Sequence, residues 1–260
     1  MAIQINERDH LIFKIIDEHK VLLEKHIAWF IAPEAKPVLI RDRLRKLFYL
    51  DYLLCQRHGT KLPWWTTPTK PLVYMLSPMS KTMSGTTEDT LDLTDSTVQR
   101  HLLEVANIKM LGLIAQQAGE ISNFNWVTHS GGAKTTLDAV MTFTANDRFF
   151  KFAVINHPSD KEKLVAELDS MFIEGAVERV IVICRDTSYQ DILQKFLAEQ
   201  PRQFDLSKIY LATHQELYKT SITTARYTDG HRQSVSFLGH SANNTVPLHV
   251  NLAHTQAASA

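Results

Sequence analysis

The sequence predicts an α/β chain made of two units, and three observations carry that prediction. Residues 1–76 read as three amphipathic helices followed by a hairpin. Residues 98–219 read as α-β-β-β-α-β-α-β. Between them, residues 77–97 hold ten Ser/Thr in 21 positions, with Glu88, Asp89, Asp92 and Asp95 and little apolar periodicity, the composition of a linker.

In the first unit, Leu11, Ile12, Ile15, Ile16 and His19 make one stripe of a helix over residues 7–20. Leu23, Ile27, Phe30 and Ile31 repeat the spacing in a short second helix, which Ala32-Pro33 closes. After Pro37 a third helix turns Leu44, Leu47 and Phe48 inward and Arg41, Arg43, Arg45 and Lys46 largely outward. The strand-like run Tyr52–Arg57, the turn His58-Gly59 and the strand Leu72–Leu76 form the hairpin. Three helices and a hairpin predict a winged helix-turn-helix, whose third helix enters the major groove while the wing lies on the backbone. Trp64-Trp65 is read as closing the wing against the helices; stacking on a base is the alternative.

The second unit opens with a helix over residues 101–118, ended by Gly119. A short strand, Phe124–Val127, and the turn Ser130–Lys134 follow. Leu137, Ala139, Met141 and Phe143 alternate with Asp138, Thr142 and Thr144 in a half-buried strand, and Asn146-Asp147 turns into a third strand over residues 149–155. A helix over 159–174, the all-apolar Val180–Cys184, another helix around Ile192–Leu197 and the strand Ile209–Ala212 complete the order. This is the order of the restriction-endonuclease-like core. Residues 220–260 carry few charges and read as a loosely ordered tail, with Ser234–Leu238 and Pro247–Leu252 as possible edge strands.

Charge sharpens the division. The chain carries 28 Lys+Arg and 28 Asp+Glu, but residues 1–76 hold 12 against 8 and the remainder 16 against 20. Within 34–70 the balance is eight to three, a basic patch suited to phosphates. The candidate DNA contacts are Lys36, Arg41, Arg43, Arg45 and Lys46 at the third helix, with Arg57 and Lys61 on the wing. The two cysteines, Cys55 and Cys184, lie in apolar runs and give no disulfide framework, and no apolar run approaches the ~18 residues of a membrane span. The start has neither the basic flank nor the apolar core of a signal peptide, so a cytoplasmic location is expected.

Catalytic chemistry is weakly supported. A nuclease of this fold collects Mg²⁺ with an Asp on its second strand and a Glu-x-Lys-type pair on its third. Asp138 stands at the first position, but the third strand has Lys151 and Asn156 and no carboxylate. These three are vestigial candidates, no cofactor is expected, and Mg²⁺ enters only if the chain is an enzyme after all. The stretch Ser130–Thr136 lacks the glycine spacing of a phosphate-binding loop and reads as a hairpin turn. His129 and His157 are candidates for polar contacts near the same place.

The motifs His101-Leu-Leu-Glu-Val-Ala-Asn-Ile108, Asn125-Trp-Val-Thr128, Leu137-Asp-Ala-Val140 and Phe150–Asn156 resemble the replication-relaxation family of plasmids and integrative elements, related to the MobC-type mobilisation relaxases. The resemblance covers residues 8–215. It implies DNA binding at a plasmid locus, in transfer, replication control or transcription. Active members of that family nick one strand using a Glu soon after the Trp, the Asp-Ala, and a Glu-x-Asp on the next strand. Here Thr128 or His129, Val154 and Asn156 stand where acids would be, and Asp138 matches. The expectation is therefore a binder of double-stranded DNA with a degenerate nuclease-like unit, which supports a homodimer or recruits a transfer or replication protein, with no membrane partner. A nicking enzyme and a winged-helix protein-interaction module are the alternatives.

Overall fold

The computed structural model describes residues 4–31, 37–60, 62–85, 91–129 and 136–238. Lys36, Lys61, most of the Ser130–Thr136 turn and the Pro247–Leu252 strand lie outside them.

Helix α1 (Glu7–His19) starts at a capping box: Asn6 Oδ1 accepts from the Asp9 N–H, and Asp9 accepts from the Asn6 N–H. A two-residue strand β1 (Leu22–Leu23) separates it from α2 (Glu24–Ile31), and α3 (Pro37–Tyr49) follows. Strands β2 (Leu53–Arg57) and β3 (Leu72–Leu76) pair antiparallel, and β1 adds to the other edge of β3, Leu22 facing Tyr74. The three helices close on this sheet through Ile12, Ile16, Ile27, Ile40, Leu44 and Leu47, all fully buried. Most of the predicted stripe thus becomes one core, but Leu11 and Phe48, read as inward, are exposed at the edge of their helices' apolar faces.

The segment between the units contains α4 (Pro78–Ser84), capped by Ser77 and ended by Gly85 in the left-handed region, where a side chain would be strained. The next helix, α5, spans Ser96–Gln117 with Asp95 as N-cap, five residues earlier than apolar spacing suggests. Its first turn, Ser96-Thr97-Val98-Gln99, has a single apolar residue and carries no stripe, so capping marks this start and periodicity does not.

A seven-stranded sheet follows in the order β10-β9-β8-β7-β6-β5-β4. β4 (Ser122–Thr128), β5 (Ala139–Ala145) and β6 (Arg148–Asn156) form an antiparallel meander. β7 (Arg179–Cys184) and β8 (Ile209–Thr213) run parallel to β6, joined through α6 (Lys161–Ile173) and α7 (Thr187–Glu199). α5 packs on one face through Val105, Ile108, Leu111 and Ala115. On the other, Leu164 and Leu168 of α6 and Leu193 and Leu197 of α7 cover Val180, Val182 and Cys184. Burial on both faces is why β7 reads as an unbroken apolar run.

After α8 (His214–Lys219), residues 220–238 are more ordered than the loose tail expected there, and the edge strand read at Ser234–Leu238 is present at Ser234–Val235. β9 (Tyr227–Asp229) pairs with β8, and β10 (Ser234–Val235) pairs with β9. Tyr227 and Phe237 are fully buried, and the Phe237 ring lies 5.3 Å from both Phe143 and Phe152. Residues 220–238 therefore complete the core, because without them these aromatic rings would face water. Among the described residues no helix is long and apolar enough to cross a membrane.

Candidate functional site

Where the C-terminal ends of β6 and β8, the chain entering β5 and the first turns of α5 meet, the molecule has a cleft of about 960 Å³. Glu18 and His19 of α1 and Thr60 of the β2–β3 connection form part of its wall, so both units line it.

The site is built from backbone register. Asp138 stands just before β5, its N–H donating to Val154 O and its O accepting from His129 N–H. With Ala139 opposite Val154, Asp138 comes beside the end of β6, and its Oδ2 accepts the Asn156 N–H at 2.6 Å. The other oxygen, Oδ1, lies 2.6 Å from His101 Nε2 on α5. His101 and Glu104 are three apart on that helix and share a face. Asn156 joins them: its Nδ2 donates to Glu104 Oε2 at 3.1 Å and lies 3.5 Å from His101 Nδ1. Glu104 also accepts from Arg100 Nε at 2.9 Å and sits 3.2 Å from His214 Nε2, while His214 Nδ1 meets the Tyr218 hydroxyl at 2.8 Å.

These contacts set the charges. Burial opposes the Glu104 carboxylate, but His214, Arg100 and Asn156 outweigh it and hold the group down at about 2. Burial likewise opposes a charged His101, yet the hydrogen bond and charge of Asp138, with Glu104 beyond, raise it above its ordinary value. The His101 side chain is 40% exposed, so an imidazole oriented by a carboxylate lines the cleft. His157 goes the other way: burial lowers it, with His214, Arg185 and His101 adding to the effect against the pull of Glu104.

Of the vestigial candidates, Asp138 and Asn156 come together and Lys151 does not. Lys151 is exposed, five residues before Asn156 and on the opposite face of β6, roughly 16 Å along the strand. Glu104 and His214 complete the cluster and were not among the candidates. The spacing of His101 and Glu104 hints at a polar helix face, but nothing local announces His214 as their partner. Asp138 therefore has an acidic neighbour after all, one already occupied by Arg100, Asn156 and His214. Among the described residues no three His, Cys, Asp or Glu side chains are arranged to hold a metal ion.

The candidate DNA contacts divide sharply. Arg43 is only 18% exposed and is bound by Nε and Nη2 to the fully buried Asp9, so it serves the capping box and the core. Arg41, 57% exposed, pairs with Glu24 at 3.0 Å. Arg45 is 62% exposed with Asp42 at 4.0 Å, and Lys46 is exposed beside it. At the end of β2, exposed Arg57 donates to Lys70 O. Trp64 packs on Tyr218 of α8 at 4.9 Å and Trp65 Nε1 donates to Thr69 O, so the tryptophans shape the β2–β3 connection and dock it on the second unit.

Comparison of the chain with protein-family models, with curated proteins and with solved structures gives no match in any of the three.

Proposed function

We propose that the protein binds double-stranded DNA through its first unit, and that its second unit is a nuclease-like scaffold without metal-dependent cleavage, a combination suited to control of a mobile element. The observation that carries the reading is the placement of β1. A strand between the first two helices, pairing with the hairpin's second strand, is the pairing a winged helix uses and supports that reading; the outer face of α3 is left to solvent with Arg45 and Lys46 upon it. Arg41 flanks that face and Arg57 extends it onto the wing. For the second unit, the order β4-β5-β6-β7-β8 with only β5 reversed supports a restriction-endonuclease-like core. Its two clustered carboxylates, Asp138 and Glu104, are spent on His101, Arg100 and His214.

A mobility shift with duplex DNA tests the first half. Reversing both Arg45 and Lys46 to Glu is expected to weaken binding about tenfold or more and to reduce the salt slope by about 2. Unchanged affinity would leave a protein-interaction module. For the second half, supercoiled plasmid with Mg²⁺ or Mn²⁺ is expected to stay closed. The meeting of Asp138 and Glu104 is what favours the enzymatic reading, in which a metal would displace Arg100 and His214; nicking abolished by Asp138→Asn establishes it.

A further inference from the structure

The cleft carries recognition chemistry that DNA binding on α3 leaves unused. Three of its four acidic side chains meet a basic or imidazole partner, and the fourth, Asp160, is exposed. Asp138 is held by His101 and the Asn156 N–H, and Glu104 by Arg100 and His214. Glu18 accepts from Lys109 and Thr128, and Asp160 caps α6 by accepting the Lys163 N–H.

What remains is cationic or unpartnered. Arg185, exposed at the end of β7, makes no ion pair or hydrogen bond among the described residues. Asn156 is 99% buried by its 1% exposure, and its Oδ1 has no hydrogen-bond partner among them. Because Nδ2 donates to Glu104, the amide orientation is fixed and Oδ1 is directed away from that carboxylate. His157 Nδ1 is likewise buried without a partner. The residue is held at φ 52°, a conformation uncommon for a side-chain-bearing residue, by its N–H on Ile183 O and its ring against Tyr189. Unpaired buried polar atoms are costly unless something meets them. All three residues line one cleft, at the C-terminal edge of the parallel strands β6, β7 and β8, where open α/β sheets bind their ligands.

We propose that this cleft binds a small sugar phosphate of mononucleotide size, its phosphate on Arg185 and His157 and a hydroxyl donor on Asn156 Oδ1. Arg185 supplies the fork that suits a phosphate, and His157 Nδ1–H donates beside it. Asn156 Oδ1 accepts only from a donor, which in this ligand is a ribose hydroxyl. The volume, about 960 Å³, is at the upper end of small-molecule sites. Glu18 and Thr60 also line the cleft, so its wall draws on both units.

Calorimetry on the full chain with adenosine 5′-monophosphate, ribose 5-phosphate, inorganic phosphate and a 5′-phosphorylated single-stranded oligonucleotide tests this. One equivalent of either small ester is expected to bind, with inorganic phosphate at least about tenfold weaker for want of the sugar and its hydroxyls. Arg185→Glu, on an exposed side chain, is expected to weaken the ester about tenfold or more with an unchanged circular dichroism spectrum. The His157 ring resonances in the unaltered protein give a second readout, expected to shift on ester binding. No heat with any probe, affinity untouched in Arg185→Glu, a silent His157, inorganic phosphate binding as well as the esters, or binding of the oligonucleotide alone each overturns the proposal. No DNA duplex is present in these measurements, so their failure leaves the DNA-binding reading standing, and failure of that reading leaves the cleft unaffected.

Discussion

Arg43 and Arg45 lie two residues apart on α3 and are used in opposite ways. Burial alone would raise the Asp9 carboxyl, but Arg43 and the Asn6 N–H outweigh it and hold the group below its ordinary 3.8. A depressed carboxyl stabilises the fold above that ordinary value, and the contribution is lost as pH falls through the folded one. Arg43→Ala leaves the Asp9 charge buried and unpaired, so a loss of about 3 kcal/mol in urea denaturation is expected at neutral pH. Arg45→Ala is expected to change stability by less than about 0.5 kcal/mol while weakening DNA binding. Equal stability losses would show that Arg43 is not the structural one. His101 has the reverse sign. Its value is raised by Asp138 and Glu104 against the effect of burial, so its contribution is complete below the ordinary 6.5 and fades as pH rises through the folded value. In Asp138→Asn the burial remains and the main partner is gone, so the His101 titration followed by NMR is expected to move downward. A titration that stays in place removes Asp138 as the cause.

At the scale of elements, what was legible in the sequence is what periodicity or a continuous apolar run can encode. α1 repeats its stripe over thirteen residues and β7 is apolar throughout, so both are visible without context. β1 has two residues and β9 three, too short for any pattern, and both exist because a neighbouring strand pairs with them. The same limit applies to the site. Asp138 could be found as an acid at a strand's start, whereas Glu104 and His214 meet only through the packing of α5 against the end of β8. The tail is the sharpest case, and Gly230, just after β9, tests its place in the fold. Its N–H donates to Leu206 O, and an added Cβ would stand 2.9 Å from Leu206 Cβ and 3.0 Å from that carbonyl oxygen. The backbone oxygen cannot turn aside, so Gly230→Ala is expected to cost about 1–3 kcal/mol in chemical denaturation. A variant as stable as the parent would mean that the segment is not fixed against the sheet.

For the molecule as a whole, the Ser/Thr-rich segment suggests two units that unfold separately, and α5 argues for one. Leu103, on α5, is fully buried with Val21, Leu23, Val73 and Met75 of the first unit, and Ala106 enters that unit's other cluster. Val105, Ile108 and Leu111 of the same helix pack on the seven-stranded sheet. Lys109 donates to Glu18 of α1, Thr128 of β4 donates to the same carboxylate, and Trp64 rests on Tyr218. A helix cannot leave one core without disturbing the other, since its hydrogen-bond ladder is cooperative. Calorimetry is therefore expected to show a single transition with equal calorimetric and van't Hoff enthalpies. Leu103→Ala removes packing from the first core only and is expected to cost about 3 kcal/mol. If the units are welded, hydrogen exchange in the second unit's β7 amides accelerates together with that in β3, because both open through the same global unfolding. Protection lost in β3 and retained in β7 would instead make residues 77–95 a hinge between two independent folds.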